Sequence, residues 1–239
     1  MGRGPTRTLA FNGWAAGPEA WALTRFRRDW TFSYVEQLDG LPARVIAGFD
    51  RVVLVGFSMG GSSALETLLD FPDKVAGIVL VSAAVRMMEE RLEPTAEFPR
   101  GEVVWKGMGE RRLAALRLGT RMVFARDPSP IYADANLDRG LEFLRRVDLR
   151  RRLEDFSADP RAAALKVAVV ASERDGIVAR GNAEFLKRIF PQASLTWVPG
   201  MEHVLPITAS RAVDAAVRSV RSGLRPKSFS VQQPVFSNQ

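Results

Sequence analysis

Apolar residues along this chain recur in two alternating rhythms. Short runs rich in β-branched and other apolar residues read as strands: RTLAF (7–11), WTFSYV (30–35), RVVLVG (51–56), VAGIVLVSA (75–83), KVAVVAS (166–172) and SLTWVP (194–199). Between them lie stretches such as SSALETLLDF and NAEFLKRIF, whose apolar positions return every three or four residues, the period of an amphipathic helix. Strands alternating with helices predict βαβ units, and hence a mainly parallel α/β sheet of about six strands. Several of the runs are apolar at nearly every position, as a strand must be when helices cover both faces of its sheet.

Residues 84–162 break the rhythm. No β-like run occurs there, and GERRLAALRLGTRMVFAR followed by DANLDRGLEFLRRVDLRRRLEDF reads as helix. The expected organisation is a core of residues 1–83 and 163–224, a helical cap of residues 84–162 over the carboxyl edge of the sheet, where open α/β folds bind ligands, and a mobile polar tail at 225–239.

The bulk numbers fit one such unit: 239 residues, 46% of them hydrophobic, are enough for a sizeable core. The chain has no cysteine and one histidine, which removes disulfides, thiolate chemistry and a histidine-built metal centre from consideration. The N-terminal MGRGPTRTLAFNGW lacks the apolar stretch of a signal peptide, and no 18-residue uncharged apolar run occurs. A cytoplasmic protein without a membrane span is the expectation. The formal charge of +7 suits an acidic partner. Nucleic acid is not favoured, because no zinc finger, helix-turn-helix or aromatic RNA-binding run is present.

Three polar landmarks carry candidate chemistry. Gly56-Phe57-Ser58-Met59-Gly60 has the form G-x-S-x-G between a strand and a helix. A strained turn there leaves no room for side chains at the glycines and lifts the serine oxygen above the sheet, with helix amides facing any oxyanion. Without such a role Ser58 is only a small residue in a tight βα turn. A hydroxyl needs a base, and His203, in PGMEHVLP after the last strand, is the sole imidazole. Asp175, three residues after a strand in SERDG, is the candidate acid; Glu173, Glu202, Glu89 and Glu90 are the alternatives. The order serine, acid, histidine is the one a strand-turn-helix nucleophile calls for. The amide of Met59 and that of Trp14, which follows Gly13, are the candidate oxyanion donors.

FNGWAAGPEAW, VGFSMGG, LEFLRRVDLRRRL, SERDGIVAR and GMEHVLP resemble, in this order, landmarks of the pimeloyl-acyl-carrier-protein methyl ester esterases of biotin synthesis, a group of α/β-hydrolase serine esterases. The resemblance runs from about residue 8 to residue 220. It implies an α/β-hydrolase fold, a Ser58-Asp175-His203 triad, oxyanion amides at Trp14 and Met59, no cofactor, and hydrolysis of a carrier-linked methyl ester through an acyl-enzyme on Ser58. The chain departs from the group in three ways: Asn12 stands where histidine is usual, the two strands that commonly precede the first one here are missing, and the cap is short.

Charge bears on the carrier. Residues 111–152 hold eleven arginines and five acids, so they carry six of the seven net positive charges. An arginine surface there would steer an acidic acyl-carrier protein, with Arg111, Arg112, Arg117, Arg121, Arg145, Arg146, Arg150 and Arg151 as candidate contacts. Arginine outnumbers lysine throughout, so the same residues also read as a solvated helix face. Two further readings remain open at this level: a general carboxylesterase or thioesterase for free small molecules, and a non-catalytic binding protein of the same fold.

Overall fold

A computed structural model describes residues 5–87, 109–200 and 202–224. The 225–239 tail and the alternative acids Glu89 and Glu90 lie outside the described residues. Strands β1 (Arg7–Phe11) and β2 (Trp30–Phe32) are followed by helices α1 (Tyr34–Leu38) and α2 (Leu41–Ala47), then β3 (Val52–Phe57), α3 (Met59–Asp70) and β4 (Val75–Val81). Helices α4 (Glu110–Phe124), α5 (Asp134–Arg146), α6 (Arg150–Ser157) and α7 (Pro160–Ala164) separate β4 from β5 (Lys166–Ser172). The chain continues through α8 (Arg180–Ile189), β6 (Ser194–Val198), α9 (Leu205–Thr208) and α10 (Ser210–Ser222).

The six strands form one sheet in the order β2-β1-β3-β4-β5-β6, and every pairing is parallel. Alternation along the strands divides the core in two. Leu9, Phe11, Leu54, Ile78 and Leu80 pack on one face beneath α1, α3 and the helices inserted before β5. Ala10, Val53, Val55, Val79, Val81 and Val170 pack on the other, against α10 and Trp21. Helix α10 approaches so closely that a methyl group at Gly77 would lie 2.4 Å from Val220 Cγ1.

Two details differ from the pattern-based expectation. The run at 30–35 ends as a strand at Phe32, because Ser33 opens α1 with a reciprocal cap: its hydroxyl accepts from the Glu36 amide at 3.3 Å and its amide donates to the Glu36 carboxylate at 2.8 Å. The long helical stretch at 134–156 is two helices, α5 and α6. Val147 is extended, and the Leu149 amide donates to Val85 O at 3.0 Å, which ties the break to the chain leaving β4.

Candidate active site

Ser58 sits at the carboxyl end of β3, at φ 54° and ψ −123°, a conformation that costs a non-glycine residue free energy. The turn holds it there by close packing. A methyl group at Gly56 would come within 2.5 Å of Gly60 O, and one at Gly60 within 2.3 Å of Phe11 O, so larger residues at either position would push strand and helix apart. Helix α3 starts at Met59, directly after the serine. Its first-turn amides have no acceptor within the helix, and the positive end of its dipole lies at Ser58.

His203 and Asp175 come to the same sheet edge from the loops after β6 and β5. His203 Nε2 lies 2.9 Å from Ser58 Oγ, and Nδ1 lies 2.8 Å from Asp175 Oδ2 and 3.1 Å from Oδ1. The partners assign the tautomer: an ionised carboxylate only accepts, so Nδ1 carries the proton and Nε2 is left to accept from the serine hydroxyl. The side chains of His203 and Asp175 are 13% and 3% exposed, so little water competes for these bonds. The Phe57 ring, 5.3 Å from the imidazole centroid, packs beside it. Asp175 is anchored in turn by the amides of Ile177 and Val178, which donate to Oδ1 at 2.8 and 3.0 Å. Glu173 and Glu202, the other acids of these loops, are exposed, and no hydrogen bond among the described residues joins either to His203.

Gly13 backs onto the serine: a methyl group there would lie 3.1 Å from Ser58 Cβ. Trp14 is therefore next to Ser58, and its indole Nε1 donates to Leu137 O of α5 at 3.0 Å. Asn12 is buried and takes no part in the cavity lining; its Oδ1 accepts from Trp21 Nε1 at 2.5 Å, which makes it a structural link to the first loop.

Above Ser58 and His203 lies a cavity of about 250 Å³. Helix α4 lines it with Leu113, Leu116, Thr120 and Phe124, at spacings of three and four that place them on one helix face. That periodicity was available in the sequence as a lining signal, although it says nothing of which element the face covers. Among the described lining residues only His203 is titratable, so none of them offers a fixed charge to an anionic substrate group.

The arginines of α4 to α6 are more engaged than their number suggests. Arg117 pairs with Asp138, Arg121 with Asp134 at 3.2 Å, Arg145 with Glu110 at 3.1 Å, Arg146 with Glu142 at 2.5 Å and Arg150 with Asp148 at 2.6 Å. The hydrogen bonds from Arg117 and Arg150 hold the carboxyls of Asp138 and Asp148 below the ordinary range. Arg111, Arg112 and Arg151 are exposed and make no ion pair among the described residues. Also among the described residues, no cluster of ligating side chains suits a metal ion, and no helix is long and apolar enough to cross a membrane.

Solved structures share this fold at low sequence identity. A hydrolase from Oleispira antarctica superposes with a TM-score of 0.63 at 13% identity, covering 92% of this chain and 93% of that one. A meta-cleavage product hydrolase from Pseudomonas fluorescens gives 0.60 at 14% identity, over 94% and 93%. A thermophilic esterase from Thermogutta terrifontis gives 0.57 at 18%, over 92% and 90%. In sequence, a 64-residue stretch is 44% identical to esterase PIR7B of Oryza sativa subsp. japonica, spanning 26% of this chain and 24% of that protein. The alpha/beta hydrolase family itself matches over residues 2–217, and with nearly the whole fold inside that match the chain belongs to this family.

Proposed function

We propose that the protein is a serine carboxylesterase. The observation that carries this reading is the continuous chain from Asp175 through His203 to Ser58 at the floor of an apolar cavity. In the mechanism, Ser58 Oγ attacks the ester carbonyl carbon and its proton passes to His203 Nε2. The amides of Met59 and Trp14 hold the oxyanion. Collapse breaks the bond to the alkoxy group, which takes the proton from His203 and leaves as the alcohol. Water, deprotonated by His203, then attacks the acyl-enzyme, and the acid departs as Ser58 recovers its proton.

The finer reading is the methyl ester of a pimeloyl chain on acyl-carrier protein, with methanol as leaving group. The apolar character of the described lining residues supports it, since a methyl-capped terminus meets them without a charge to solvate, whereas the carboxylate produced finds no counter-charge among them and is expelled. The carrier would meet the exposed Arg111, Arg112 and Arg151. The neutralised state of Arg117, Arg121, Arg145, Arg146 and Arg150 favours the second reading, an esterase for free small esters whose arginines serve the fold alone. Rates on carrier-linked and free methyl esters, each at low and high salt, separate the two. A carrier preference that fades with salt supports the first; a salt-insensitive enzyme without that preference supports the second.

A further inference from the structure

The acceptor sites of Asp175 are unevenly filled. Oδ1 takes the Ile177 and Val178 amides and shares His203 Nδ1, whereas among the described residues Oδ2 has His203 Nδ1 alone, at 2.8 Å. A carboxylate oxygen has two lone pairs, and at 3% exposure bulk solvent does not fill the second. Behind the carboxylate lies a chamber of about 10 Å³, lined by Asp175, Ser82, Ser172, Ala83, Ala171 and Val178 among others.

Ser82, directly after β4, lines the same chamber. It is 2% exposed, and its hydroxyl has no hydrogen-bond partner among the described residues. Its backbone stands at φ 42°, and its amide donates a hydrogen bond to Val170 O at 2.9 Å. A strained, buried serine with an idle hydroxyl is costly on two counts, and such residues gather at functional sites. Ser172 Oγ donates to Gly200 O at 2.8 Å, which leaves its lone pairs available. One donor without an acceptor and two oxygens with spare lone pairs thus line a space that fits a single water and meets its need for two to four polar partners.

We infer that this chamber holds one buried water, which accepts from Ser82 Oγ and donates to Asp175 Oδ2 and Ser172 Oγ, and that Ser82 is thereby a positioning residue for the acid of the triad. The kinetic part rests on the serine-esterase reading; the water site does not. The bridge adds a second hold on the carboxylate plane and shares the charge on Oδ2, so its loss leaves Oδ2 with His203 alone while the Ile177 and Val178 amides still hold Oδ1.

The test joins a high-resolution crystal structure of the full chain with two variants. The structure should show a water within about 2.7–3.2 Å of Ser82 Oγ and Asp175 Oδ2; a dry chamber overturns the inference. Ser82→Ala removes the hydroxyl and keeps the backbone strain, whereas Ser82→Gly removes both. Each should lower kcat on a simple ester by roughly three- to tenfold with KM unchanged. Each should also move the NMR resonance of the Nδ1 proton of His203, the only histidine. Wild-type kcat and an unmoved resonance in Ser82→Gly would overturn the positioning role. Should the wild type itself turn over no ester, the esterase reading fails, while the water and the resonance still decide this one.

Discussion

His203 Nδ1 lies 2.8 Å from Asp175 Oδ2, across 28 residues of chain, and this bond selects which imidazole nitrogen faces Ser58. Asparagine in place of Asp175 keeps the shape but offers an N–H where the imidazole N–H must be received. Asp175→Asn should therefore fold normally and lose about 10⁴-fold in kcat with a far smaller change in KM. Steady-state kinetics beside circular dichroism check this; activity within tenfold of wild type would remove Asp175 from the triad.

Leu116 faces the cavity from the middle of α4. Its replacement by tryptophan fills part of the 250 Å³ above Ser58. Leu116→Trp should shift the preference among p-nitrophenyl esters toward shorter acyl chains, by roughly 10-fold or more in relative kcat/KM per pair of methylenes excluded. An unchanged chain-length profile would mean that the acyl group lies elsewhere.

Glu66, on α3, is a half-buried acid without an ion pair among the described residues. Burial pushes its carboxyl above 4.5, Arg152 draws it partly back and Asp70 pushes it up again. A carboxyl raised in the folded state binds its proton more tightly there than in the unfolded chain. The resulting stability is fully present below the ordinary value and is lost as pH rises from there through the raised value of the folded state. Glu66→Gln, which imitates the protonated form, should raise the urea midpoint at pH 7, with the gain shrinking as pH falls to about 4 and below. A gain that grows toward acid would contradict the assigned cause.

The sheet was legible because its strands are nearly continuous apolar runs: β1 and β5 have the boundaries that RTLAF and KVAVVAS suggest. The start of α1 was also readable, in Ser33 and Glu36, but the apolar Tyr34 and Val35 carry the strand-like pattern across the cap. Helix α2 is only seven residues long, too short for a helical period to stand out against its neighbours. Ser58, His203 and Asp175 could be placed at one sheet edge because each follows a strand. Their mutual distances depend on the parallel register of four strands and on the Gly200 turn, at φ 111°, in the loop that carries His203. The ion pairs that occupy Arg117, Arg121, Arg145, Arg146 and Arg150 were the least legible. A count of charges gives net sign, whereas pairing depends on how α4, α5 and α6 pack. The same holds for Asp214, whose buried carboxylate accepts from the Arg25 and Phe26 amides some 190 residues earlier.

The central claim is an acyl-enzyme on Ser58, and covalent labelling tests it most directly. A fluorophosphonate probe incubated with the folded wild type should add one mass increment, mapped by peptide sequencing to Ser58, and abolish hydrolysis of a short ester in proportion to labelling. Ser58→Ala should take up no probe and show no turnover above background. Unlabelled wild type, or a Ser58→Ala variant that still hydrolyses the ester, would contradict the account.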